Sequence, residues 1–176
     1  STWPPDEARL LPALARIAQE VPALRMVLVP HEPLAEHIAS LRRWTSANKL
    51  SVRATSEGNS GPPPRVLIID SVGFLAEAYA HAHVAFVGGA FSTGVHSVIE
   101  PAIAGLPVVF GPRHDNSFEA VQLLAHGAAR AVRDEHRHDL RNHVSGAPDE
   151  HRIADMQVEA RELVHVVQRG VAHGDA

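Results

Sequence analysis

Short apolar segments alternate with amphipathic helical segments along this chain, and that alternation limits the folds it can adopt. Six apolar segments are predicted strands, at 24–30, 51–55, 65–70, 84–89, 107–111 and 128–132. Predicted helices cover 4–20, 33–45, 72–82, 96–105 and 116–127, with two more at 138–146 and 150–172. Strands that alternate with helices form βαβ units, so the pattern predicts an α/β fold. We expect three α/β/α layers, with helices on both faces of a parallel sheet.

Length and composition fit one ordinary globular domain. The chain has 176 residues, 45% hydrophobic and 20% charged, with a formal net charge of −4. That balance does not favour nucleic acid or an anionic membrane surface as a partner. There is no cysteine, which excludes disulfides and thiolate metal sites. The chain opens directly into a helix without an initiator Met. We therefore expect residues 1–176 to be one excised domain.

Polar and glycine-rich residues follow four of the predicted strands. These loops lie at 30–33, 70–73, 88–100 and 111–118. Ligands of parallel α/β sheets bind outside the carboxyl ends of the strands. We therefore expect one binding site built from these four loops, which are far apart in sequence.

The third of these loops is the richest in glycine. Gly88, Gly89 and Gly94 permit positive φ angles and close approach of the backbone to a ligand. The helix that follows directs free N–H groups towards the loop, which favours an anion. The spacing matches neither a Walker A loop nor a dinucleotide fingerprint. A tight strand-to-helix turn without a ligand remains the alternative.

Five side chains at this edge are candidates for ligand contact, each with a simpler structural reading beside it. Glu100 can accept hydrogen bonds from two ribose hydroxyls, or stabilise the start of its helix. His96 can contact a phosphate or a sugar hydroxyl, or cap the helix. Arg113 can pair with phosphate or carboxylate, or lie on the surface. His31 stands at a second loop mouth, and Asn116 is more typical of a helix cap than of a ligand.

The 13 histidines do not by themselves predict a metal site. His81 with His83, and His136 with His138, have a spacing that superficially suggests metal ligands. No carboxylates stand at a suitable spacing beside them. We therefore expect neither a bound metal nor a cofactor, and attribute most of the histidines to compositional bias.

Several segments together resemble one known family. The segment "VGGAFSTGVHSVIEPAIAGLPVVFGPRHDNSFEAVQLLAHGAA" (87–129) resembles the C-terminal domain of the 3-deoxy-D-manno-octulosonic acid (Kdo) transferases. These are glycosyltransferases of the GT-B type that attach Kdo to a lipid A precursor. "STWPPDE" (1–7), "PHEP" (30–33) and "VLIIDSVGFLAEAYAHAHVAFVGG" (66–89) resemble further segments of that domain. The resemblance covers 1–132 and continues weakly through the tail.

The resemblance implies a Rossmann-like domain that binds the donor CMP-Kdo without a metal. It implies that the phosphate meets the loop from Gly88 to Gly94 and that the ribose meets Glu100. The implied donor-binding residues are His31, Gly73, Gly88, Gly89, Gly94, His96, Ser97, Glu100, Arg113 and Asn116. In this family the lipid A precursor and the catalytic base belong to an N-terminal domain, which these residues do not include. We expect this chain to be soluble, to bind nucleotide weakly and to lack turnover, with its parent at the cytoplasmic face of the bacterial inner membrane.

Three departures from the family pattern leave other functions open. Ser97 stands where the family has asparagine, the 30–33 loop has no arginine, and Phe74 replaces a common acidic residue. Another GT-B transferase that uses a UDP-sugar is the first alternative. An epimerase half that binds a UDP-sugar and a non-catalytic relic of a nucleotide-binding domain are the others.

Overall fold

The computed structural model describes residues 1–73 and 75–132. The helices predicted over 138–146 and 150–172, and the pair His136 and His138, lie outside the described residues. The described helices are α1 (Pro4–Glu20), α2 (Ala35–Ala47), α3 (Leu75–Tyr79), α4 (Ile99–Ile103) and α5 (Phe118–Ala125), with a 3-10 turn at Thr55–Glu57. The strands are β1 (Met26–Leu28), β2 (Val52–Ala54), β3 (Val66–Ile68), β4 (Ala85–Val87), β5 (Val108–Phe110) and β6 (Ala129–Ala131).

All six predicted strands are confirmed, and every strand pair is parallel. β3 pairs with β1 and β2, so the first sheet has the order β1-β3-β2, with Val66 opposite Met26 and Val52. The second sheet has the order β4-β5-β6, with Val108 opposite Ala85 and Ala129. Parallel pairing places the carboxyl ends of the strands at one edge, as the loop positions require.

The predicted α/β fold with parallel strands is confirmed, and the described strands form two sheets of three. The segment Ser1–Thr2 lies between the ends of strands β1 and β4. The Thr2 amide donates to the Val29 carbonyl at 2.9 Å, and the His31 amide donates to the Thr2 carbonyl at 2.8 Å. The Gly88 amide donates to the Ser1 carbonyl at 3.1 Å. The beginning of the chain therefore bridges the two sheets through main-chain hydrogen bonds.

Two apolar clusters form the core. The first packs Ala18 of α1 and Leu41 of α2 against one face of the first sheet, with Met26, Leu28, Val66 and Ile68. The second packs Ala120 of α5 and the loop residues Ala90, Val95 and Val98 against Val87, Val108 and Phe110. The loop after β4 is therefore part of the hydrophobic core as well as of the sheet edge.

The helix after β4 is shorter than predicted and begins later. α4 starts at Ile99 after the N-cap Val98, so the predicted first residues, 96–98, belong to the loop. Pro101 is the third residue of α4, where a missing N–H costs no intrahelical hydrogen bond. Pro101 therefore lies in the first turn of α4. Among the described residues, no helix is long and apolar enough to cross a membrane.

Candidate functional site

The glycine loop after β4 forms a tight, internally bonded turn. The amides of Ser92 and Gly94 both donate to the Gly89 carbonyl, at 2.9 and 3.1 Å. Gly89 has a φ of 89° and Gly94 a φ of 139°, which residues with a Cβ rarely adopt. A Cβ on Gly88 would lie 2.3 Å from the Ser1 carbonyl oxygen. Glycine is therefore required here by close backbone packing as well as by conformation.

Asn116 supports this loop from the side. Its Oδ1 accepts from the Val95 amide at 3.1 Å, and its Nδ2 donates to the Val95 carbonyl at 3.0 Å. A Cβ on Gly94 would lie 2.7 Å from the Asn116 Cγ. The sequence allows Asn116 or Ser117 as the cap of α5, and the structure has Ser117, whose Oγ accepts from the Ala120 amide at 3.2 Å. Both ends of the Asn116 amide are engaged by main chain, which assigns it to loop support.

Arg113 also stabilises the loop. Its main chain exchanges hydrogen bonds with Ala90 and Val95, and its Nη1 donates to the Ser92 carbonyl. The side chain is exposed, so its remaining N–H groups face solvent at the same edge.

Asp6 is a buried carboxylate in the first turn of α1. Its side chain is 0% exposed. Oδ2 accepts from the Gly89 amide at 2.8 Å and from the Trp3 amide at 2.9 Å. Oδ1 accepts a longer hydrogen bond, 3.4 Å, from the Phe91 amide. Asp6 therefore ties the start of α1 to the glycine loop, 83 positions further along the chain.

Glu7, the next residue, makes the corresponding connection to the first sheet. It is buried and accepts from the Thr2 hydroxyl at 2.9 Å. The His37 Nε2 of α2 lies 2.8 Å from Oε2. The only sequence signal for these two contacts was the resemblance of the segment 1–7 to a family motif.

His31 and His96, which come from different sheets, meet at this edge. Their ring centroids are 4.8 Å apart. Trp3 stacks on His31 with centroids 4.3 Å apart, and its Nε1 donates to the His96 Nε2 at 3.0 Å. The Ser1 Oγ lies 3.3 Å from the His31 Nδ1 and 3.2 Å from the His96 Nδ1. Burial lowers the pKa of His96, so its ring is neutral at neutral pH. We call these four residues the Trp–His cluster.

Glu100 and Ser97 lie beyond this cluster with exposed side chains. Glu100 is the second residue of α4, and Ser97 stands in the loop before it. The negative charge of Glu100 contributes, after burial, to raising the pKa of the Tyr79 hydroxyl to about 12. The carboxylate is therefore near the α3–α4 contact and open to solvent.

The loop after β3 is a separate part of the edge. Asp70 accepts from the Ser56 hydroxyl, from the Thr55 hydroxyl at 2.6 Å and from the Ser56 amide at 3.0 Å, and these hydrogen bonds, the one from the Ser56 hydroxyl above all, keep its pKa below the usual range. Gly73 has a φ of 105° and is exposed, and a Cβ there would meet nothing within 4 Å. The structure therefore gives Gly73 a conformational role without bringing it against the glycine loop.

Across residues 1–73 and 75–132, no group of three or more His, Asp or Glu side chains is placed to hold a metal ion. That range includes His81 and His83. The chemistry of the edge is therefore that of hydrogen-bond donors, main-chain amides and single carboxylates.

Comparison with known proteins finds relatives that all carry the same name. The chain matches no protein-family model. It is 32% identical over 114 residues to the 3-deoxy-D-manno-octulosonic acid transferase of Rickettsia bellii, covering 64% of this chain and 27% of the relative. The corresponding transferase of Chlamydophila psittaci is 30% identical over 131 residues, covering 73% of this chain and 29% of the relative. That of Bordetella pertussis is 30% identical over 139 residues, covering 76% and 32%.

A solved structure matches nearly the whole chain. It is the C-terminal CMP-Kdo binding domain of WaaA from Acinetobacter baumannii, with a TM-score of 0.65 and 26% identity. The match covers 97% of this chain and 86% of that domain. The chain thus spans about a third or less of the curated transferases, but most of this one domain.

Proposed function

Because the chain corresponds to the C-terminal domain of the Kdo transferases, we propose that it is the donor-binding domain of a glycosyltransferase that moves Kdo from CMP-Kdo to a lipid A precursor. The observation that carries the proposal is the sheet edge itself. Loops from both sheets converge there on a glycine turn, in a chain that matches a CMP-Kdo binding domain over 97% of its length. That edge is where parallel α/β sheets bind nucleotides.

We assign the parts of the donor to parts of this edge. The phosphate faces the turn from Gly88 to Gly94, with Arg113 beside it as a cation. The ribose hydroxyls donate to the exposed Glu100. His31 and His96 complete the polar surface next to Gly89, and Ser97 offers a hydroxyl where the family carries asparagine. Gly73 gives the loop after β3 its conformation, and Asn116 supports the turn.

A site made of these residues suits a leaving group that carries a single phosphate. CMP leaves with one phosphate, whose charge main-chain amides and an arginine can stabilise. We further propose that the acceptor and the catalytic base belong to a preceding domain of the whole protein, which works at the cytoplasmic face of the inner membrane. The chain alone is then a binding domain that does not transfer sugar.

The test is a calorimetric titration of the chain with CMP, with UMP and UDP as the competing ligands. We expect CMP to bind more tightly than UMP or UDP. Glu100→Ala should weaken the binding of CMP by about tenfold, since it removes a charged acceptor of hydrogen bonds. Glu20→Ala is the matched control, because Glu20 is also exposed but lies at the far end of α1.

Three results would contradict the proposal. Tighter binding of UDP would assign the chain to a UDP-sugar transferase or an epimerase half. No binding of any nucleotide at millimolar concentration would indicate a relic of the fold. Sugar transfer by this chain alone would contradict the placement of the catalytic base in another domain.

A further inference from the structure

The hydrogen-bonding capacities in the Trp–His cluster fix the proton position on His96 and limit that on His31. The Trp3 indole N–H can only donate, so the His96 Nε2 that receives it must carry a lone pair. The neutral His96 ring therefore carries its proton on Nδ1, which donates to the Ser1 Oγ. A charged His96 would place a second N–H against the indole N–H, and burial opposes that charge as well.

The same reasoning extends to His31. With His96 donating to the Ser1 Oγ, the single hydroxyl proton of Ser1 is available for the His31 Nδ1 at 3.3 Å. Where the Ser1 hydroxyl donates this proton, the proton of a neutral His31 lies on Nε2. Among the described residues no other hydrogen bond to this ring is found, and the side chain is exposed. The chain Trp3–His96–Ser1–His31 thus ends in an N–H that points away from Ser1.

We propose that Trp3 and Ser1 are positioning residues that present the His31 Nε2–H as a hydrogen-bond donor to the phosphate of the bound nucleotide. His96 lies against Gly89, since a Cβ on Gly89 would be 2.7 Å from the His96 Cδ2. The cluster is therefore continuous with the turn assigned to the phosphate. The stack of Trp3 on His31 fixes the plane of the ring that makes the contact. This inference rests on the proposed function, which places the phosphate at that turn.

The experiment uses Trp3→Phe, which keeps an aromatic ring on His31 and removes the indole N–H. The chain has only two tryptophans, and Trp44→Phe is the matched control because Trp44 packs against the first core cluster. Long-range ¹H–¹⁵N spectra of the imidazole rings report which nitrogen carries the proton. In the wild type we expect Nδ1–H on His96 and Nε2–H on His31. Trp3→Phe should move the His96 proton to Nε2, and Trp44→Phe should leave both rings unchanged.

Titrations with CMP and with cytidine test the contact itself. Trp3→Phe should weaken CMP binding by about five- to tenfold, less than the full value of a hydrogen bond to a charged group because His31 itself remains, and should change cytidine binding by less than twofold. An unchanged tautomer in Trp3→Phe overturns the proposal, and so does an equal loss for CMP and cytidine. Failure of the wild type to bind CMP rejects the proposed function and the phosphate contact together. The ¹⁵N pattern still decides in that case whether Trp3 sets the His96 tautomer.

Discussion

Replacement of Asp6 tests most directly how this edge is held together. Its carboxylate makes two short hydrogen bonds, to the Gly89 and Trp3 amides, in a fully buried position. A hydrogen bond to a charged group contributes about 1.5–3 kcal/mol. Asp6→Ala removes both and leaves two N–H groups without an acceptor. We therefore expect the free energy of unfolding to fall by about 3–6 kcal/mol, a large part of the roughly 5–15 kcal/mol of a typical domain.

Asp6→Asn separates the charge from the geometry. An amide oxygen in the place of Oδ2 accepts the same two hydrogen bonds, but without the charge that roughly doubles their strength. We expect Asp6→Asn to cost about half as much as Asp6→Ala. Glu20→Ala, at the other end of the same helix, removes an exposed carboxylate and should change stability by less than about 0.5 kcal/mol.

Urea denaturation measures these differences. At a slope of about 2 kcal/mol per molar urea, Asp6→Ala should lower the midpoint by about 1.5–3 M without changing the slope. A loss below about 1 kcal/mol for Asp6→Ala would refute the reasoning, because the two amides would then have other acceptors. An Asp6→Asn variant as unstable as Asp6→Ala would refute the claim that Oδ2 acts mainly as a positioned acceptor.

Two further predictions follow from single residues. Gly94→Ala combines a φ of 139° with a Cβ 2.7 Å from the Asn116 Cγ, and should cost about 2–5 kcal/mol in urea denaturation. Gly127→Ala, with a φ of 72° and open space, should cost about 1–2 kcal/mol, and equal losses would contradict the packing argument. Tyr79 is the only tyrosine, so its ultraviolet titration should show a pKa of about 12 in the folded chain. The neutral phenol stabilises the fold fully below the ordinary pKa of 10.0, and this contribution is lost as the pH rises towards 12; a native midpoint near 10 would refute it.

The strands, and the edge at which the polar loops follow them, could be predicted because both depend on local patterns. Short apolar runs between helices specify parallel strands, and polar residues after those runs specify the binding edge. The glycine turn was predictable for the same reason. The length of α4 was not, since Pro101 indicates either a kink or a first turn, and the packing of Val98 in the core, which keeps 96–98 in the loop, cannot be read from the sequence.

The roles of Asp6 and Asn116 could not be predicted from local patterns. Acidic residues in a first helical turn are usually exposed and interact with the helix dipole, and an asparagine before a helix is usually its cap. Here each side chain bonds the main chain of a distant loop, and Asp6 also accepts from the Trp3 amide at the start of its own helix. The contact of His31 with His96 could not be predicted from local patterns either. The loops that carry them, after β1 and β4, meet where Ser1 and Thr2 lie between the two sheets.

Asp6 and Glu7 are adjacent in sequence but connect to different sheets. Asp6 holds the turn that follows β4, and Glu7 holds Thr2 and α2, which follows β1. The main chain of Ser1 and Thr2 bonds the ends of the same two strands. The relative position of the two histidines therefore depends on this one short segment. The edge to which we assign the nucleotide is thus held by contacts made on its buried side, so we expect a change at Asp6 to alter this edge through the main chain of the Gly89 loop.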